Sequence, residues 1–126
     1  MQLRTFYAHP SRILLALNDD GAAAGVVALL VTDRVGEIRR LYVDAHQRTG
    51  GLGRRLVETL ITQARELGLD RLVLNTLPTM IHAQALYCSL GFTSTEAYVE
   101  KPTDGILYFM LQLLPGEVVT SPGNSG

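Results

Sequence analysis

The sequence predicts an α+β fold in which helices flank a mixed, mostly antiparallel sheet. Two apolar runs, residues 12–18 and 22–33, are joined by a turn-forming NDDG stretch, which predicts an antiparallel hairpin. A helical pattern then separates two more strand-like runs between residues 37 and 76, and such a crossover implies a parallel pair. The 126 residues suit one domain, predicted over 1–114 and followed by a flexible C-terminal tail, 115–126.

The first half of the chain is predicted to supply three consecutive strands. The hairpin is followed by a third strand over residues 37–44. Strict alternation would place Ile38 and Leu41 on opposite faces of that strand. A β-bulge in the Arg39–Leu41 region would put both on the core side, so a bulge is predicted there.

A long helix and a second α/β segment complete the order β-β-β-α-β-α-β-β. Residues 52–67 place apolar side chains at helical spacing, and Gly68 ends that pattern. A strand is predicted at 71–76, then a helix at 80–90 that Thr79 caps and Gly91 ends. Strands at 93–99 and 105–113 finish the sheet. The predicted apolar stripe of the first helix is Leu52, Leu56, Leu60, Ile61, Ala64 and Leu67.

Charge and composition exclude several classes of function. The formal net charge of -1 gives no overall field for nucleic acid or an anionic membrane. The longest apolar run, residues 22–31, is too short to cross a bilayer, and the first residues do not form a secretory signal. Cys88 has no partner for a disulfide, and His9 and His46 lie in separate predicted loops, so no metal site is predicted. A cytoplasmic protein is the expectation.

A glycine-rich turn precedes the long helix and is a candidate phosphate site. Gly51 and Gly53 keep side chains away from the free N–H groups at the helix start, where the helix dipole also favours an anion. Arg48 and either Arg54 or Arg55 add positive charge. A plain tight turn is the alternative. The stretch lacks the Gly-Lys-Ser/Thr of a P-loop and the third glycine of a dinucleotide fingerprint.

Two motifs in order resemble the GNAT superfamily of N-acetyltransferases. The pattern Arg48-x-x-Gly51-x-Gly53, between a strand ending LYV and an amphipathic helix, is similar to the family's acetyl-CoA signature. The later stretch LNTLPTMIHAQALYCSLGF is similar to the family's second strand–helix segment. The resemblance runs from about residue 12 to residue 113. It implies a GNAT-like fold, acetyl-CoA as acyl donor, and transfer of the acetyl group to a primary amine of a small molecule or peptide.

The resemblance also implies which residues bind the coenzyme. Backbone amides of the signature hold the pyrophosphate, and the end of the third strand pairs with the pantetheine arm and polarises the thioester carbonyl. Two residues of the following strand lie where the sheet splays to admit that arm. The implied binding residues are Leu41, Tyr42, Val43, Arg48, Thr49, Gly50, Gly51, Leu52, Gly53, Arg54, Asn75 and Thr76.

Acetyl transfer needs a proton donor and a base, and two residues are the candidates. The resemblance implies that Tyr87 is the general acid for the departing thiolate; its alternative is a core tyrosine. Glu37, at the start of the third strand, is the best carboxylate for a base, acting directly or through water; its alternative is a solvated strand-end charge. His82 is interpreted as a helix-surface residue and Cys88 as a packed free thiol.

The chain departs from the family pattern at two places. Met80 stands where the family often has asparagine. In addition, only some eleven residues precede the hairpin, so the family's N-terminal strand and two helices are expected to be absent or reduced. Since the hairpin strands are apolar on nearly every residue, a sheet buried on both faces is predicted. A homodimer that buries the hairpin or residues 3–7 would provide the missing cover.

The shortened N-terminus leaves two alternatives to an active enzyme. The first is a non-catalytic acetyl-CoA sensor or interaction module on a trimmed GNAT fold, and the second is a fragment of a longer protein. The identity of the acceptor stays open among amino acids, polyamines, aminoglycosides and protein N-termini.

Overall fold

In the part of the chain that the structure describes, one seven-stranded sheet packs against two α-helices. The structure is a computed structural model, and it describes residues 1–47, 50–99 and 101–114. The tail predicted at 115–126 lies outside the described residues. The elements in chain order are β1 Gln2–Ala8, β2 Ser11–Leu17, β3 Ala23–Thr32, β4 Val35–Val43, a short 3-10 helix Ala45–Gln47, α1 Leu52–Glu66, β5 Arg71–Thr76, α2 Ile81–Ser89, β6 Thr93–Thr95 and β7 Leu107–Gln112.

The sheet is mixed and mostly antiparallel, which confirms the predicted fold class. The strand order is β1-β2-β3-β4-β5-β7-β6, and β4–β5 is the parallel pair, as the crossover through α1 predicts. Helix α1 contacts β2, β3 and β4. The first turn of α1 also lies beside α2. A methyl group of Leu86 on α2 is 3.6 Å from the position that a Cβ atom of Gly53 would occupy. Both helices therefore cover the same face of the sheet.

The predicted bulge is present in β4. The register passes from Val26–Tyr42 to Ala28–Arg39, so Arg40 and Leu41 together oppose Val27. Arg40 adopts a φ of 57°, a left-handed conformation that is uncommon outside glycine. The extra residue restores Leu41 to partial burial against the core, next to the buried Ile38.

The predicted helix pattern of α1 is confirmed, with one addition. Leu52, Leu56, Leu60 and Ala64 are buried, and Val57 is buried with them although it is not in the predicted stripe. The helix ends at Glu66, and the αL glycine that follows it is Gly68, as predicted. These side chains pack on leucines and valines of β2, β3 and β5 to form the core.

Three predicted boundaries are wrong. Residues 2–8 form the edge strand β1, whereas no strand is predicted before Arg12. The strand predicted at 93–99 is limited to Thr93–Thr95, since residues 96–99 leave the sheet. Thr79 does not cap α2: the helix begins at Ile81, Met80 is the N-cap residue, and no side chain caps it.

The hairpin is buried on one face only, which corrects the prediction of burial on both. Leu14, Ala16, Val27 and Leu29 point to the helices and are at most 1 % exposed. The alternate residues point to the opposite face, which neither helix covers. There the described chain exposes large apolar side chains, with relative exposures of 47 % for Phe6, 46 % for Ile13, 41 % for Leu30 and 56 % for Tyr42.

Gly36 allows β4 and β5 to approach closely. A Cβ atom at this position would lie 2.7–2.9 Å from methyl groups of Leu29, Leu72 and Leu69. These distances are shorter than van der Waals contact, so a larger residue would force the leucines apart. The middle pair of the β4–β5 register, Gly36–Leu72, therefore lies where the space fits only a glycine.

Candidate active site

The two parallel strands separate beyond Glu37 and open a cleft. The β4–β5 register covers the pairs Val35–Arg71, Gly36–Leu72 and Glu37–Val73, and no later pair joins these strands within the described chain. The cleft has a volume of about 560 Å³. Its walls come from β4, from β5 and the loop after it, from α2 and from the start of β7: Glu37, Ile38, Arg39, Arg40, Leu41, Asn75, Thr76, Leu77, Met80, Ala83, Tyr87 and Ile106.

Tyr87 lies on α2 with its side chain in the cleft wall. The residue is 6 % exposed, and its ring packs on Phe92 with centroids 5.6 Å apart. Burial raises the pKa of the Tyr87 hydroxyl to about 12, because the charged phenolate would be poorly solvated there. The hydroxyl makes no hydrogen bond to another residue in the described ranges. The group is therefore neutral at physiological pH and has its proton available.

Glu37 lies at the point where the strands part, and both of its carboxylate oxygens are engaged. Arg39 Nε donates to Oε1 at 2.9 Å, and the Tyr98 hydroxyl donates to Oε2 at 3.1 Å. The side chain of Glu37 is 17 % exposed, compared with 53 % for Arg39. Glu37 is thus a largely buried carboxylate in the cleft wall, which does not match the alternative of a solvated strand-end charge.

The start of α1 has the features of an anion site. Gly51 is the N-cap residue with a φ of 75°, a conformation that favours glycine, and nothing lies within 4 Å of its Cβ position. No side-chain hydrogen bond caps the helix, and its first turn contains no acidic residue. Within the described residues, no side chain occupies the N-terminal end of α1, where the helix dipole favours an anion.

Strand β4 links the cleft to the start of α1. A methyl group of Val43, at the end of β4, lies 3.6 Å from the Cβ position of Gly53 in the first turn of α1. An extended ligand that lies along β4 from Glu37 would therefore reach the open N–H groups of the helix.

The structure brings together part of the predicted set of site residues. Glu37, Leu41, Asn75, Thr76 and Tyr87 line the cleft. At the other end lie Tyr42 and Val43 of β4, then Gly50, Gly51, Leu52, Gly53 and Arg54 around the start of α1. Arg48 and Thr49 fall outside the described residues.

Three polar residues make contacts that the sequence does not reveal. The guanidinium of Arg54 bonds to Glu58 at 3.4 Å and to the Ser89 hydroxyl, so it links α1 to α2. The Asn75 amide donates to the Tyr98 hydroxyl at 2.9 Å. Tyr98 is absent from the predicted site, since it lies between β6 and β7 in a segment with no periodic pattern.

Cys88 and His82 lie on α2 and face away from the cleft. Cys88 is exposed, which corrects its interpretation as a packed thiol. His82 is exposed, as predicted for a helix-surface residue. Neither residue lines the cleft. Across the described ranges, no three His, Cys, Asp or Glu side chains are grouped so that they could hold a metal ion. None of the described helices has the length and apolar character needed to cross a bilayer.

Comparison with known proteins identifies the family. The family model described as acetyltransferase (GNAT) family matches residues 2–92. An uncharacterized N-acetyltransferase of Schizosaccharomyces pombe is 37 % identical over 110 residues, which are 85 % of this chain and 68 % of that protein.

Solved structures agree with this assignment. A Bacillus subtilis acetyltransferase in complex with CoA superposes with a TM-score of 0.70 at 26 % identity, over 86 % of this chain and 80 % of that chain. The Escherichia coli ribosomal-protein-S18-alanine N-acetyltransferase shares the fold, with a TM-score of 0.74 at 24 % identity over 91 % and 77 % of the two chains. With the sheet, the cleft and the uncapped helix start in place, this chain belongs to the GNAT family of acetyltransferases.

Proposed function

We propose that the protein moves the acetyl group of acetyl-CoA to a primary amine of a small molecule or peptide, by direct attack in a ternary complex. The observation that carries this proposal is the meeting of Glu37 and Tyr87 in one cleft, which β4 connects to the uncapped start of α1. A base, an acid and an anion site in this order match the needs of acyl transfer from a thioester.

Donor binding is assigned to β4, β5 and the start of α1. The N–H groups of Leu52, Gly53 and Arg54 face the pyrophosphate, together with the preceding turn from Arg48 to Gly51. The backbone of residues 41–43, at the end of β4, is assigned to the pantetheine arm. Asn75 and Thr76 form the opposite wall of the cleft.

Glu37 is proposed to receive the proton of the attacking amine, directly or through one water. An alkyl amine has a pKa near about 10.4 and must lose a proton before it attacks a carbonyl carbon. The alkylammonium proton therefore passes to a Glu37 carboxylate oxygen before attack, and the carboxylate returns it to solvent. As the C–N bond forms and the C–S bond breaks, the nitrogen loses its second proton to water, which balances the proton that Tyr87 gives to the thiolate and later regains from solvent.

Tyr87 is proposed to protonate the leaving thiolate. A simple thiol has a pKa of about 8.5, and a thiolate leaves more readily when a neutral donor stands beside it. The Tyr87 hydroxyl is neutral, buried and available in the wall of the cleft. An amide of the bulged segment of β4, at Leu41, is assigned to the developing negative charge on the carbonyl oxygen.

Release of free CoA in the presence of amines tests this function. The assay measures the new thiol spectrophotometrically at saturating acetyl-CoA, with a panel of amino acids, a polyamine, an aminoglycoside and peptides with free N-termini. We expect amine-dependent release from at least one class, with equal amounts of acetylated amine by mass spectrometry. The enzyme proposal would be contradicted if calorimetry showed tight acetyl-CoA binding while no amine gave CoA release. That result would indicate a sensor.

A homodimer is proposed to cover the open face of the sheet. Phe6, Ile13 and Leu30 lie on neighbouring strands β1, β2 and β3, and each is more than 40 % exposed. Contiguous apolar patches of this kind usually mark an interface, and a two-fold pair is the commonest arrangement. We also propose a cytoplasmic location, on the composition of the sequence.

Light scattering at micromolar concentration should give a mass twice the 13.8 kDa of one chain. Ile13→Glu should convert this species to a monomer, because it would bury a carboxylate in the interface. Ile81→Glu is the matched control: Ile81 is 68 % exposed on α2, on the other face of the sheet, and its substitution should leave the mass unchanged. A monomeric wild-type protein would exclude the dimer.

A further inference from the structure

Tyr98 joins the two strands that border the cleft. Its hydroxyl donates to Glu37 Oε2 on β4 at 3.1 Å and accepts from the Asn75 amide on β5 at 2.9 Å. Glu37 and Val73 form the last pair of the parallel register, and Asn75 lies two residues beyond that pair. The hydroxyl therefore spans the gap directly after the backbone pairing of β4 and β5 ends.

The ring of Tyr98 is fixed by packing on the sheet. It meets Tyr108 of β7 edge to face, with centroids 5.2 Å apart and planes at 86°. Tyr108 pairs with Asn75 in the β5–β7 register, so the ring contact and the amide hydrogen bond come from adjacent positions. Together these contacts fix the Tyr98 hydroxyl between Glu37 of β4 and Asn75 of β5.

Glu37 depends on Tyr98 for half of its hydrogen bonding. Its other oxygen accepts from Arg39, which is two residues away on the same strand and more than half exposed. An exposed pair of this kind fixes a carboxylate weakly. Tyr98 is the more buried donor and comes from a different part of the chain. Partial burial is the largest cause of a Tyr98 pKa raised to about 12, so the hydroxyl keeps its proton throughout the physiological range.

The position of the carboxylate matters because Glu37 also borders a second cavity. This cavity, of about 290 Å³, lies beside Tyr98 and Val73, and it shares Glu37 and Arg39 with the cleft. Tyr98 lines this second cavity and not the cleft, so its hydroxyl fixes Glu37 from that side. Without the hydroxyl, only the exposed Arg39 among the described residues holds the carboxylate, which can then adopt other rotamers between the two cavities. A base that turns away by a few ångströms loses most of its effect on the reaction.

We propose that Tyr98 is a positioning residue that fixes the Glu37 carboxylate at the edge of the cleft by bridging β4 and β5. The inference rests on the proposed role of Glu37 as the base. Tyr98 keeps its own proton during the reaction and touches neither substrate. Its contribution is expressed through Glu37, which separates it from a residue that only stabilises the sheet.

A double-mutant cycle tests this coupling. The kcat and KM values are measured by CoA release for wild type, Tyr98→Phe, Glu37→Gln and the double variant, using the amine with the highest wild-type rate in the panel. We expect Tyr98→Phe to lower kcat about tenfold and Glu37→Gln about 100-fold. In the Glu37→Gln background, Tyr98→Phe should change kcat less than about twofold, because no base is left to position. The KM for acetyl-CoA should stay within about twofold throughout.

Tyr108→Phe is the matched control. It removes a hydroxyl from the ring that packs on Tyr98 and leaves the hydrogen bonds of Glu37 in place. Its kcat should match wild type, and thermal unfolding should show that the three variants of the cycle and the control are folded.

The outcomes separate this inference from the proposed function. If Glu37→Gln leaves kcat unchanged, Glu37 is not the base and the positioning role is excluded with it. If Glu37→Gln lowers kcat but Tyr98→Phe does not, the positioning role alone is excluded. Equal losses from Tyr98→Phe in both backgrounds would also exclude it, since a purely structural effect is additive.

Discussion

Replacing Tyr87 by phenylalanine should lower kcat about 100-fold or more and leave the protein folded. The substitution removes only the hydroxyl, and the ring keeps its packing on Phe92 and in the core. The hydroxyl makes no hydrogen bond within the described part of the chain, so little folding energy depends on it. Steady-state CoA release gives kcat, and calorimetry with CoA should give a dissociation constant within about twofold of wild type.

Two outcomes would contradict the role of Tyr87. An unchanged kcat in the folded variant would place the proton donor elsewhere, with solvent as the simplest source. A fall in melting temperature that accounts for the lost activity would identify Tyr87 as a core residue. Phe92→Leu serves as control, since it weakens the packing of the same ring and keeps the hydroxyl.

The pH dependence follows from the raised pKa of Tyr87. A general acid acts in its protonated form, which is present below the pKa and is lost as pH rises through it. Because burial raises the pKa of Tyr87 to about 12, ionisation of this residue should not reduce kcat between about pH 7 and 10. A fall in kcat between about pH 7 and 10 that is absent in Tyr87→Phe would contradict this, because it would show that the Tyr87 hydroxyl loses its proton well below pH 12.

Gly51→Val should weaken acetyl-CoA binding by an order of magnitude or more. Valine is β-branched and disfavours the φ of 75° that Gly51 adopts as the N-cap residue of α1. Its side chain would also occupy the open space in front of the first N–H groups of the helix. Calorimetric titration with CoA measures the effect independently of any amine acceptor.

Gly21→Val is the matched control for backbone strain. Gly21 has a φ of 85°, and nothing lies within 4 Å of its Cβ position, but it belongs to the turn between β2 and β3. Both variants should lose similar stability, of the order of 1–2 kcal/mol, and only Gly51→Val should lose affinity. Equal CoA affinity in the two folded variants would place the pyrophosphate away from the start of α1.

Elements with a strong local signal are predictable from the sequence. The apolar stripe of α1 repeats over four turns, and the crossover to β5 fixes a parallel pair. Even the bulge in β4 follows from residues 38–41, because alternation fails there and the core requires both Ile38 and Leu41. Near these elements local preference and tertiary packing favour the same conformation.

The missed features depend on contacts between distant parts of the chain. Strand β1 is an edge strand with mostly exposed side chains, so its sequence has no apolar run to indicate pairing with β2. Thr79 has the residue type of a cap, but α2 begins two residues later without a side-chain cap. Tyr98 belongs to the site through Glu37 and Asn75, which lie 61 and 23 residues away in sequence.

The short parallel register divides the sheet into two antiparallel ribbons, β1–β4 and β5–β7–β6. A change in the angle between these ribbons widens or narrows the cleft without breaking a hydrogen bond inside either one. Gly36 lies at the pivot, where its missing side chain lets Leu29 of one ribbon approach Leu72 of the other. The width of the cleft therefore depends on the smallest residue at the junction of the two ribbons.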